Sequence, residues 1–306
     1  MTTPRERVIR TLRHQPVDRA PRELWIKSDV AESRKDDVRA ILNRFPMDVK
    51  GPRGRYGVAP RARGRPGVVG AYSDPWGCVW TVLEPGMTGE IKNPPLADWA
   101  ALAHYRLPWE LLDGADLSQV NADCAATDRF VKAGTETRPF ERAQFLRGTE
   151  AFLADIAWGV PEVRVLLAML HDFFCREMRM WAATDVDAVA FMDDWGTQWS
   201  LLISPDAWRD LFKPLYRDYV QILHARGKFA FFHSDGFIEA IFPDLIEIGV
   251  DAVNSQLFCM DIERLGRLHS GRIAFWGELD RQRILPFGTP EEVRESVRRV
   301  RRALDR

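Results

Sequence analysis

The chain has 306 residues, 46% of them hydrophobic, which is enough for a large core, and barrels of alternating strands and helices commonly reach this size as one domain. Lys plus Arg (43) nearly balances Asp plus Glu (44), so the net charge of -1 gives no global field to draw nucleic acid or an anionic membrane, and small-molecule partners are favoured. The opening MTTPRERVIRTLRHQPVDR lacks a signal-peptide apolar stretch, no later run approaches the ~20 apolar residues that span a bilayer, and Cys78, Cys124, Cys175 and Cys259 form no C-x-x-C pair, so a cytoplasmic protein with reduced thiols is expected.

In chain order, PRERVIRTLRH (4–14) sets Val8, Ile9 and Leu12 on one helical face. ELWI (23–26) and PMDVK (46–50) read as short strands. GPRGRYGVAPRARGRPG (51–67), with arginines at 53, 55, 61, 63 and 65 and no acid, reads as a loop that is either solvated or able to clamp carboxylates. VVGAYSDPWGCVWTVLE alternates apolar and polar residues around a Pro-Trp-Gly turn and predicts a β-hairpin, so residues 51–110 form an insertion into a single domain spanning 1–306.

From residue 130 short strand-like runs alternate with helical stretches. The runs are FVKAGT (130–135), VDAVAFMDD (186–194), KFAFFHSD (228–235), VDAVNSQL (250–257) and RIAFWGEL (272–279). Between them lie VRVLLAMLHDFFCREMRMWAA and SPDAWRDLFKPLYRDYVQILHARG, the latter opening on Ser204 as N-cap and closing on Gly227. Strand, helix, strand repeated this often implies a parallel sheet. A doubly wound sheet is the competing architecture, but no G-x-G-x-x-G or phosphate-binding loop follows any run, so an α/β (β/α)8 TIM-type barrel with an inserted hairpin is preferred. Seven strands are counted. The chain stops at RRVRRALDR, which reads as the helix before an eighth, so either a strand has gone unrecognised or the last one is lacking.

In such a barrel the working groups project from the C-terminal ends of the strands. Asp193 and Asp194 follow an apolar run, and strand alternation points only one of them into the mouth; the bland role for either is to cap a helix or pair an arginine. His233 and Asp235 lie two apart and share a face before Gly236, a pair suited to a divalent metal or to imidazole-mediated proton transfer, or simply to satisfying each other. Glu278 offers another rim carboxylate, with a pairing to Arg281 or Arg283 as its alternative. Asn254 and Gln256 can bond a substrate or only loop backbone. Trp195 and Trp276 are candidate walls for a planar ligand, or packing residues.

The segments RERVIRTLRHQPVDRAP, DDWG, SPDAWRDLFKPLYRDYVQILHARGK, FFHSDG, IEIGVDAVN and WGELDRQRILPFGTPEEVRESVRRVRRAL resemble the uroporphyrinogen decarboxylase superfamily, which holds heme-pathway decarboxylases and cobalamin-dependent methyltransferases. True decarboxylases of that superfamily carry P-x-W-x-M-R-Q-A-G-R on the first strand. Here the matching stretch is Pro21-Arg22-Glu23-Leu24-Trp25-Ile26-Lys27-Ser28-Asp29, without the two arginines that hold porphyrinogen carboxylates. Methyltransferase relatives bind zinc through His-x-Cys-Gly plus a later cysteine. This chain keeps His233 and Gly236 but has Asp235 in the first cysteine's place. The resemblance therefore implies a metal-assisted methyltransferase of the methyltransferase-like branch. His233 and Asp235 would hold a divalent ion such as zinc, with Glu278 a third ligand; Asp193 or Asp194 would position substrate or handle a proton. It further implies a small methylated substrate, a corrinoid on a partner protein and a homodimer. The alternatives are a metal-free decarboxylase of porphyrin biosynthesis and a non-catalytic barrel that binds a corrinoid or tetrapyrrole.

Overall fold

The computed structural model describes residues 2–305, except the side chains of Ser28 and Asp29. The apolar runs form strands where both faces can be buried. Their ranges are β1 (Val49–Lys50), β5 (Phe130–Gly134), β6 (Ala188–Met192), β7 (Phe229–Ser234), β8 (Ala252–Ser255) and β9 (Ala274–Phe275). They make one parallel sheet in the order β1-β5-β6-β7-β8-β9, curled into a partial barrel. Each helical crossover adds its strand beside the previous one, as right-handed βαβ units do. The register runs from Ala188↔Phe229 to Met192↔His233, and from Phe231↔Ala252 to Ser234↔Ser255. Met192, His233 and Asn254 thus lie in one row, and the residues just beyond them share one rim.

The predicted hairpin is a three-stranded antiparallel sheet: β2 (Gly70–Ser73), β3 (Val79–Val82) and β4 (Glu90–Asn93). Asp74 shapes the first turn by accepting from the Trp76 and Cys78 amides and from Trp80 Nε1. The third strand went unread because EIKN carries little apolar alternation. The arginine-rich stretch is a loop. Arg53 forks onto Asp123, Arg55 bridges to Asp116 through backbone, and Arg63 bonds local carbonyls.

Two sequence expectations change. ELWI (23–26) is extended but enters no ladder. The Asp48 amide bonds Arg22 O, yet the Arg22 amide goes to the Asp48 carboxylate, so the side chain takes a donor that a ladder would have used. The segment is held instead by Glu23, which pairs with Lys132 at 2.7 Å and accepts from Trp276 Nε1 at 2.7 Å. Lys132 lies inside the barrel, 3.4 Å from the Trp276 ring centroid, and burial lowers its pKa to about 8. The other change concerns SPDAWRDLFKPLYRDYVQILHARG, which forms two helices, Pro205–Leu211 and Lys213–His224, because Pro214 has no N–H to continue the first. Ser204 does cap the first of them, accepting from the Ala207 amide.

Phe130, Ala188, Phe231 and Ala252 fill the barrel interior, and Val8 and Leu12 of the helix Pro4–Leu12 pack against them to plug its lower end. Among the described residues no helix is long and apolar enough to cross a membrane.

Candidate active site

The loops leaving β6 and β7 touch through two glycines. A Cβ on Gly196 would lie 2.3 Å from the Phe237 amide nitrogen, and one on Gly236, at φ +81°, would lie 2.0 Å from Gly196 O. Only hydrogen fits at either position. The contact is reinforced by Gly196 N to Asp235 O, by Trp195 N to Ser234 Oγ and by Asp235 N to Asp194 Oδ1 at 2.9 Å. The acidic ends of the two strands therefore meet.

Asp194, His233 and Asp235 place one ligand atom each within 4.8 Å of the others. His233 Nε2 is 3.7 Å from both Asp194 Oδ1 and Asp235 Oδ1. Two ligands about 2.1 Å from one zinc ion in tetrahedral arrangement stand about 3.4 Å apart, so the imidazole is within a few tenths of an ångström of ligand spacing from each carboxylate. The tautomer of His233 is set by Asn254. The Asn254 Nδ2 donates to Trp276 O, so its Oδ1 faces His233 Nδ1, at 2.6 Å, as acceptor. The ring proton thus sits on Nδ1 and the Nε2 lone pair faces the two carboxylates. Asp235 Oδ2 pairs with Arg281, while its Oδ1 is buried without a hydrogen-bond partner. An orphaned carboxylate oxygen beside a bare imidazole nitrogen fits a divalent cation, and two oxygens with one nitrogen suit a hard or borderline ion.

The profile of the uroporphyrinogen decarboxylase (URO-D) family matches residues 88–306, more than half of the sequence. The chain belongs to the uroporphyrinogen decarboxylase family. The matched span takes in all three residues of the cluster and starts after the N-terminal helix. A solved structure, a methyltransferase from Methanosarcina mazei, shares the fold at 13% identity with a TM-score of 0.67, covering 99% of this chain and 90% of that one. No curated protein matches.

Within this member of the family, the other residues singled out in the sequence take different places. Asp193 points away from the mouth and is fully buried, accepting from the Phe140 and Glu141 amides and the Tyr216 hydroxyl. It caps the helix Pro139–Arg147 from a neighbouring strand. Trp195 is also fully buried, stacked on Phe140 at 3.9 Å, and belongs to the core. Asn254 is consumed by His233 and Trp276, and Gln256 by the Gly236 amide. Trp276 does reach the mouth side, edge-on to Trp25, whose half-exposed ring lies 5.7 Å from His233.

Glu278 is outside the cluster, with its carboxyl pushed up to about 7 by burial, against Arg281 and with Asp235 adding repulsion. Burial, with Glu278 and Asp235 adding, raises the Cys259 thiol to about 11; its Sγ donates to Gln256 O and lies outside the cluster. Sequence reasoning missed Glu141, whose carboxyl burial and the Asp194 charge push up to about 7. It also missed Arg138 and Trp25. The strand FVKAGT ends before Arg138 and Glu141, and only the turn into the next helix brings them to the rim.

Proposed function

We propose that the chain is a metal-assisted methyltransferase, moving a methyl group between a small methylated substrate and a corrinoid carried by a separate protein. The observation that carries this reading is the facing pair of unbonded acceptors, His233 Nε2 and the buried Asp235 Oδ1, with Asp194 beside them. Asp194, His233 and Asp235 would hold the ion, with zinc the proposed identity. When bound, such an ion supplies Lewis acidity toward the heteroatom that bears or receives the methyl group.

The chain's own groups do the rest. Asn254 keeps the proton on His233 Nδ1. Arg281 holds the outer oxygen of Asp235 and offsets part of the carboxylate charge. Glu278, with its pKa near 7, can exchange a proton at the same mouth. Asp194, rather than Asp193, is the aspartate open to substrate, since its side chain is 44% exposed. Trp25 and Trp276 would wall the apolar side of the substrate. A single barrel domain, a cytoplasmic homodimer and the methyltransferase-like branch of the family complete the proposal.

A metal-free decarboxylase is the second reading, favoured by the Arg281–Asp235 pair, which partly satisfies that carboxylate without an ion. Metal content of purified protein by plasma mass spectrometry separates the two. Near-stoichiometric divalent metal, lost in His233→Ala, is the expected result. A wild-type protein never exposed to chelator that carries no metal would exclude the site.

A further inference from the structure

The guanidinium of Arg138 is without a hydrogen bond among the described residues, and its Nε is buried without a partner. The nearest acid is Glu141, 3.8 Å from Nη1, beyond hydrogen-bonding range. An arginine carries five N–H donors in a planar fork and stays charged at any working pH, so leaving it at 24% exposure with one long ion pair and no hydrogen bond is costly. Its neighbours show how such residues are satisfied here. Arg147 bonds Asp155 at 2.7 Å, and Arg142, although its Nε is also without a partner, lies on the Trp76 ring and bonds Asp74 at 3.3 Å through Nη1.

The position of Arg138 is equally informative. The Thr135 amide bonds Ala190 O and the Met192 amide bonds Thr137 O, so residues 135–137 run up beside β6 to the level of its end. Arg138 follows directly, at the N-cap of the helix that Asp193 anchors, and Asp194 is the next residue along β6. Glu141 feels the charges of both Asp194 and Arg138. The fork, free of hydrogen bonds, therefore belongs to the rim segment that links β5 to the helix Pro139–Arg147, beside the strand end that supplies Asp194. Two carboxylates would not themselves attract an anion; an arginine next to them with no hydrogen-bond partner would, and would fix its direction.

We infer that Arg138 is a substrate-binding residue that receives a carboxylate of the substrate, so that the small methylated compound is an organic acid. This rests on the reading of the mouth as the substrate site, but not on the presence of a metal. The fork would take both carboxylate oxygens side by side, leaving the far end of the molecule to face Asp194, His233 and Asp235.

Calorimetric titration of the full chain with benzoate, and with the neutral isostere benzamide, tests this in wild type, Arg138→Gln and Arg138→Lys, each with its metal content measured. Wild type is expected to bind benzoate at least about tenfold more tightly than benzamide. Arg138→Gln should lose that preference, and Arg138→Lys should keep part of it, with charge but no fork. Because Arg138 makes no hydrogen bond, Arg138→Gln should melt no lower than wild type, whereas a structural arginine would lower the melting temperature. Equal binding of the two probes by wild type, or an undiminished preference in Arg138→Gln, overturns the inference. An Arg138-dependent preference in a protein that holds no metal would keep the carboxylate site and remove the metal reading.

Discussion

An imidazole nitrogen is a ligand only when the proton sits on the other nitrogen, and at His233 that choice belongs to Asn254. Replacing it with leucine keeps the volume but leaves His233 Nδ1 without an acceptor, freeing the ring to turn or to change tautomer. Asn254→Leu is expected to weaken zinc binding about 10- to 100-fold in chelator competition, and Asn254→Asp, which keeps an acceptor, to restore most of it. Unchanged affinity in Asn254→Leu would show that the ring is held by other means. The His-x-Asp pair was legible in FFHSDG because strand residues two apart share a face. The role of Asn254 was not, because it depends on the pairing of β7 with β8, and register between strands is not written in either strand alone. For the same reason an amide read as a substrate group proves to be spent on a neighbour.

Asp193 and Asp194 are adjacent in sequence and opposite in consequence, because successive strand residues face opposite sides. Asp193 ties the end of β6 to the start of the helix Pro139–Arg147 and to Tyr216, three donors on one fully buried carboxylate. Removing it strands two backbone amides and a hydroxyl. Asp193→Ala is expected to cost about 2–4 kcal/mol in urea unfolding. Asp194→Ala should cost less than about 1 kcal/mol, given its exposure, while lowering metal content. The reverse ordering of stabilities would contradict these assignments. The sequence showed that one aspartate of the two must face the mouth but not which, since the twist and end of β6 decide the phase. It likewise showed a helix after Ser204 but not its break before Pro214, where a proline near a helix start is also compatible with continuation.

Across the molecule, the alternation of apolar runs with helical stretches was enough to read a parallel α/β barrel, and five of the six sheet strands fall inside the runs from residue 130 onward. What sequence periodicity could not resolve were the polar β4 and the ELWI segment that Glu23 holds by side-chain bonds. The same long-range closure assembles the site, since its three candidate ligands come from two strand ends joined at a glycine contact. The donor set proposed there is one nitrogen and two oxygens, with Cys259, whose Sγ donates to Gln256 O, outside it. X-ray absorption at the metal edge of the zinc-loaded protein tests this most directly. Only nitrogen and oxygen neighbours at about 2.0–2.2 Å, reduced in number in Asp235→Ala, are expected; a sulfur neighbour at about 2.3 Å, or a spectrum untouched by Asp235→Ala, would contradict a site made of Asp194, His233 and Asp235.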